Sequence, residues 1–225
     1  MHFVSLALYA EGRADYDFLG PLLLRLCEDL CLNEASQHVE FAESVLALSE
    51  PDEFAGAPRE ERILAAARKA HGAWRVLFVH ADADSDAERA HAERAQPAIV
   101  RLQQEFADGI GVAVVPVRET EAWAIADGDA LRQASGSSVS DQTMGLPATR
   151  AIEATADPKA VLDKAWRIAT AARLRQRRTV SAKLSYLGET VSLDRLRSLT
   201  AFQQLEQDLR QALRSLRVIP WAGTR

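Results

Sequence analysis

The sequence predicts an α/β fold, a mostly parallel sheet flanked by helices and followed by a helical C-terminal extension. Three observations predict it. Nearly continuous apolar runs of strand length recur at residues 3–10, 74–79 and 110–117, as in strands buried on both faces. The stretches between them carry apolar residues at helical spacing, and this alternation leads to right-handed crossovers and parallel pairing. From Asp157-Pro158 onward only helical periodicity remains. The expected organisation is an α/β core over residues 1–130 and a mostly helical extension packed on it over 131–225.

The first run, Phe3 to Ala10, ends at Glu11-Gly12. A helix follows, with Phe18, Leu19, Leu22, Leu23, Leu26 and Leu30 on one face; Pro21 predicts a late first turn or a kink. His38–Leu48 reads as a second strand, broken near Glu43-Ser44. Residues 50–58 form a Pro/Gly/Asp-rich loop, and Pro58 to His71 a short helix closed by Gly72. The run Trp74–Val79 leads into the most acidic loop, His80-Ala81-Asp82-Ala83-Asp84-Ser85-Asp86. Glu88–Phe106 is a charged helix in which Pro97 predicts a second kink. Ile110–Val117 is the last strong strand, and Arg118 to Asp127 begins a helix. Gly136–Ala148 is polar and reads as a mobile loop. Lys159–Ala172 is helical, with Asp157 as N-cap and Pro158 at the first position. Leu193–Leu199 and Ala201–Leu216 complete the chain.

Composition narrows the function. Net charge is −5, which argues against a protein that coats nucleic acid indiscriminately. The charge is unevenly spread: Lys164 to Arg217 holds 12 Lys/Arg against 4 Asp/Glu, whereas residues 1–163 hold 14 basic and 28 acidic side chains. A basic second half suits contact with a polyanion, or forms solvated helix faces. No apolar stretch is long enough to span a membrane, and Met1-His2-Phe3-Val4 has no basic leader, so a cytoplasmic protein is expected. Cys27 and Cys31, the only cysteines, lie four apart on one helix and read as buried thiols in a reducing compartment.

The chemistry concentrates at strand ends. Residues just past the carboxyl ends of parallel strands face the crevice where ligands bind. Glu11 follows the first strand, Asp82 and Asp84 the third, and Glu119 and Glu121 the last. If those strands are neighbours, four or five carboxylates converge and repel one another unless a cation lies among them. Hard divalent ions take oxygen ligands, so Mg²⁺ or Mn²⁺ is the expected cofactor. His80 reads as a strand-end packing residue, and Trp123 as a core anchor that fixes Glu121. Asp86 belongs to the second rank of the site or to the turn. Lys183 is either a neutraliser of phosphate charge or a solvated lysine. Arg173, Arg175, Arg177 and Arg178 either track a nucleic-acid backbone or cover a helix surface.

Glu11-Gly12-x-x-Asp15-x-x-Phe18-Leu19 after a strand, with Asp82-x-Asp84 after a later one, resembles the Toprim domain. That domain is the catalytic module of topoisomerases, bacterial primases and nucleases associated with ATPases of the overcoming-lysogenization-defect family. The run Val115 to Trp123 with Asp127, and the tail with Asp157-Pro158-Lys159, Ser181-Ala182-Lys183 and Tyr186, resemble a Toprim-like family of unknown function, DUF4276. The resemblance implies a Toprim/Rossmann-like core, Glu11 as metal ligand or general base, and Asp82 and Asp84 as the metal pair. It makes Glu121, with Glu119 beside it, a further acidic member, and it implies phage defence beside an AAA/ABC-type ATPase partner. The leading expectation is therefore a divalent-metal-dependent nuclease acting on DNA or RNA. The alternative is a non-catalytic docking or regulatory subunit of an ATPase complex. No Walker motif is present, so the chain does not itself read as an NTP hydrolase.

Overall fold

The computed structural model describes residues 1–83, 86–171 and 180–221. Six parallel strands form the α/β core: β1 (His2–Val4), β2 (Leu6–Tyr9), β3 (Val39–Phe41), β4 (Leu46–Ala47), β5 (Val76–His80) and β6 (Ile110–Val114). Four of them make the main sheet in the order β4-β2-β5-β6, while β1 pairs with β3. The second expected strand is thus broken as its sequence suggests, with residues 42–45 between its two halves.

Helices cover both faces. They are α1 (Arg13–Glu34), α2 (Arg59–Lys69), α3 (Ala87–Ala90), α4 (Gln96–Glu105), α5 (Glu121–Ala124) and α6 (Gly128–Ser135). After these come α7 (Asp141–Met144), α8 (Pro158–Thr170), α9 (Val180–Thr190), α10 (Leu193–Leu196) and α11 (Thr200–Ser215). A strand's side chains alternate between faces, and the register aligns Leu6 with Val76 and Val76 with Ile110. Even-numbered Leu6, Leu8, Val76, Phe78, Val112 and Val114 therefore share one core with α1 and α11. Odd-numbered Ala7, Tyr9, Leu77, Val79 and Ala113 share the other with α2 and α4. His80 continues the even series, so its ring lies on the α1 side.

Both prolines expected to bend helices are absorbed. α1 continues through Pro21. Pro97 follows a π-helical turn, His91–Ala95, that joins α3 to α4. The wider turn, closed by the Gln96 amide on the His91 carbonyl, fits a residue that has no N–H to give and whose ring crowds the preceding turn. The polar stretch 136–148, read as a mobile loop, instead contains α7, capped by the Ser140 hydroxyl on the Thr143 amide at 3.2 Å. The expectation missed that Ser140 is an N-cap.

The C-terminal helices complete the larger core. α9 lies along α1 so closely that a Cβ at Gly188 would stand 2.2 Å from the Phe18 carbonyl oxygen. The Arg25 guanidinium donates to the carbonyls of Gly188 and Val191, both at 3.0 Å, and so caps the end of α9. Trp123 is fully buried, edge-on to Phe202 of α11 at 5.3 Å between centroids. Asp127 caps α6 and accepts the Ser192 amide at 2.9 Å, tying α6 to the start of α10. No helix among the described residues is long and apolar enough to cross a membrane.

Candidate metal centre

The order β2-β5-β6 makes the three acidic strand ends adjacent, so their carboxylates share one edge of the sheet. The closest cluster there differs from the expected one. Among the described residues, Asp15, His80 and Asp82 each offer one ligand atom, and these atoms lie within 4.8 Å of one another.

Each member is held by local chemistry. Asp15 sits in the first turn of α1, where a carboxylate faces the positive end of the helix dipole. Its Oδ2 accepts the Gly12 amide at 3.0 Å and its Oδ1 accepts the Thr120 hydroxyl at 2.8 Å. His80, the last residue of β5, is completely buried. Asp82 lies two residues on, in a loop whose backbone is clamped by two arginines. Arg59 donates to the His80 carbonyl, and Arg94 donates to the Asp82 carbonyl at 2.8 Å. Asp86 is the N-cap of α3, accepting the Arg89 amide at 2.9 Å.

The Thr120 hydroxyl donates to Asp15, and its oxygen lies 3.1 Å from His80 Nε2. The other ring nitrogen of His80 is Nδ1. It lies 3.9 Å from Asp15 Oδ2 and has no hydrogen-bond partner among the described residues. Asp82 Oδ1, 3.3 Å from His80 Nε2, is likewise buried without a hydrogen bond, as is Glu119 Oε2. Buried polar atoms are rarely left unpaired, and a cation held among Asp15, His80 and Asp82 would give such atoms a partner. The donors present, an imidazole nitrogen and carboxylate oxygens, fit a divalent metal.

The remaining acidic residues surround this cluster. Glu121 opens α5, and its carboxyl is pushed up first by burial and then by the charges of Glu119 and Asp15. Glu119 follows Arg118, whose φ of 71° is a left-handed conformation that costs a non-glycine residue roughly 1–2 kcal/mol. Such strain is typical of functional loops. Glu11 lies on the rim, its Oε1 bound by Arg59 at 3.0 Å, and is not among the three clustered ligands. Asp84 falls outside the described residues, as do Arg173, Arg175, Arg177 and Arg178. Lys183 is neither solvated nor on a loop: it lies in α9, 4% exposed, with Nζ 3.3 Å from Asp163 Oδ1 and 5.3 Å above the Trp166 ring.

Sequence reasoning thus placed Asp82 in the cluster but set His80 aside as packing, and quoted Asp15 without giving it a ligand role. Two signals could have found them. Asp15 is three residues after Gly12, the spacing at which a first-turn carboxylate closes a capping box over a strand end. His80 shares the strand parity of Phe78, which points it at α1. No family model, curated protein or solved structure matches this chain.

Proposed function

We propose that this protein is a divalent-metal-dependent phosphodiesterase that cuts DNA or RNA, with Asp15, His80 and Asp82 holding the ion. The observation that carries this reading is the pair of buried, unpartnered polar atoms, His80 Nδ1 and Asp82 Oδ1, at the carboxyl edge of a parallel sheet. The imidazole nitrogen favours Mn²⁺ over Mg²⁺, which prefers an all-oxygen shell. When bound, the ion supplies positive charge to the scissile phosphate and makes a coordinated water more acidic. Glu11, on the rim and oriented by Arg59, accepts the proton of the attacking water. Thr120 holds Asp15 and His80 in one geometry, and the buried Asp15–Thr120–His80 contacts keep bulk water from the ligand side of the site. Lys183, committed to Asp163, has no catalytic part in this scheme. The Toprim resemblance and the basic second half of the sequence support nucleic acid as substrate, and buried thiols at Cys27 and Cys31 suit a cytoplasmic setting.

The test is a cleavage panel of plasmid, linear and single-stranded DNA, transfer RNA and structured RNA, with Mn²⁺ or Mg²⁺. Asp82→Asn and His80→Gln serve as controls. The proposal expects metal-dependent cutting, faster with Mn²⁺ and at least 100-fold slower in both variants. Cutting that survives both substitutions would refute it, and a folded, metal-loaded protein that cuts nothing would leave the docking-subunit alternative in its place.

A further inference from the structure

β6 is an edge strand of the main sheet. The Ile110 amide donates to the Arg75 carbonyl at 2.9 Å, and the Ala81 amide donates to the Val114 carbonyl at 3.0 Å. In parallel pairing these bonds commit residues 110, 112 and 114 to β5, and turn the N–H and C=O groups of Gly111, Ala113 and Val115 outward. No hydrogen bond of the described residues reaches these outward groups. Sheets usually blunt such an edge with charge, proline or a covering segment; here it forms the floor of a groove instead.

The groove has two connected halves, of 410 and 510 Å³, which share Ala113, His91 and Asp208. One wall is the α3–α4 side of the sheet, and the other is α11. Neither half is lined by a lysine or arginine, whereas Asp208 lines both halves and Glu88 the 410 Å³ one. Asp208 is partly buried, its carboxyl pushed up by that burial and anchored by the Gln204 amide at 2.9 Å. Two carboxylates beside a single histidine, His91, favour a cationic over a polyanionic occupant. Two copies of the chain cannot readily join their β6 edges, because α4 and α11 stand on either side of the strand in each.

We infer that this groove takes an extended, basic peptide segment of another protein, added as a further strand along β6. Main-chain bonds to Gly111, Ala113 and Val115 supply affinity that does not depend on side-chain sequence, and a lysine or arginine reaching Asp208 and Glu88 supplies selectivity. The site is separate from Asp15, His80 and Asp82, and its occupant identifies a protein partner of the enzyme.

The test uses the full chain. A phage-displayed library of random dodecapeptides is selected on immobilised protein, and selected peptides are measured by fluorescence anisotropy and by amide hydrogen exchange. The expected result is enrichment of alternating apolar sequences with a central Lys or Arg, and protection of the Gly111, Ala113 and Val115 amides on binding. Asp208→Lys weakens these peptides at least tenfold. Ala113→Pro removes an outward N–H at an edge, where proline is tolerated, and abolishes binding; its circular dichroism checks that the core around Ala113 accepts the ring. Failure to select any peptide would overturn the inference. So would selected peptides that bind both variants unchanged, or protection of the same amides by self-association, seen as a dimer in sedimentation.

Discussion

Gly188→Ala tests how the C-terminal helices position the candidate metal centre. The added Cβ would lie 2.2 Å from the Phe18 carbonyl oxygen and 2.7 Å from Pro21 Cγ. Carbon and oxygen rest in contact at about 3.3 Å, so α9 and α1 must separate by about 1 Å. The struck atoms are helix backbone and a proline ring, neither of which can swing aside. Overpacking costs typically 1–3 kcal/mol, and a rigid obstacle places this substitution near the top, at about 3 kcal/mol. For a chain of this size each kcal/mol lowers Tm by about 2–4 °C, which gives a fall of about 6–12 °C by differential scanning calorimetry. α1 carries Asp15 at its N-terminus, so displacement of the helix also loosens Asp15 from Thr120 and His80, and the proposed Mn²⁺ binding is expected to weaken with Tm. Gly188→Ser should behave like Gly188→Ala. A variant that melts within 1 °C of the parent would refute the close packing of α9 on α1.

Other substitutions report on single contacts. Arg59→Gln removes donors to the His80 and Arg94 carbonyls and the partner of Glu11; a cost of about 2 kcal/mol is expected from charged hydrogen bonds that are partly solvent-screened. Chemical denaturation measures it, and an unchanged midpoint would show that Arg59 does not clamp the loop. Asp127→Ala loses an N-cap and leaves the Ser192 amide unpaired, for about 3 kcal/mol. Asp127→Asn keeps an acceptor and should recover about half, and equal losses in both would contradict the capping role. Tyr9 is pushed up to about 12 by burial and then by its hydrogen bond to Glu50. Its unfolded pKa is about 10, so between pH 10 and 12 the native state holds more protons and stability falls as pH rises. Absorbance titration should show Tyr9 ionising near pH 12, with burial also holding Tyr16 above its ordinary value, and all three tyrosines ionising together near 10 would remove the claim.

The parallel sheet and its helices were legible because each strand is a short apolar run bounded by polar residues, and because strand parity and helical spacing leave a periodic trace. The adjacency of the strand ends carrying Glu11, Asp82 and Glu119 comes from the order β2-β5-β6, which alternation of strands and helices leaves open. His80 was legible only in part: its strand parity with Phe78 gives the face, but an imidazole after four apolar residues looks like core, and the approach of α1 is what brings its ring to Asp15. Lys183 misled in the other direction. The polar residues around it suggested a loop, whereas α9 turns its ammonium toward Asp163 and Trp166 on α8. Contacts across more than about a hundred residues, such as Thr120 with Asp15 and Arg25 with Gly188, have no periodic trace at all.

The most direct test of the central claim is electron spin-echo spectroscopy of Mn²⁺ added to protein labelled with ¹⁵N-histidine. The account predicts one tightly bound Mn²⁺ per chain with hyperfine coupling to a single histidine nitrogen, lost in His80→Gln while the other four histidines remain. Mn²⁺ that binds without nitrogen coupling, or that does not bind at millimolar concentration, would contradict it.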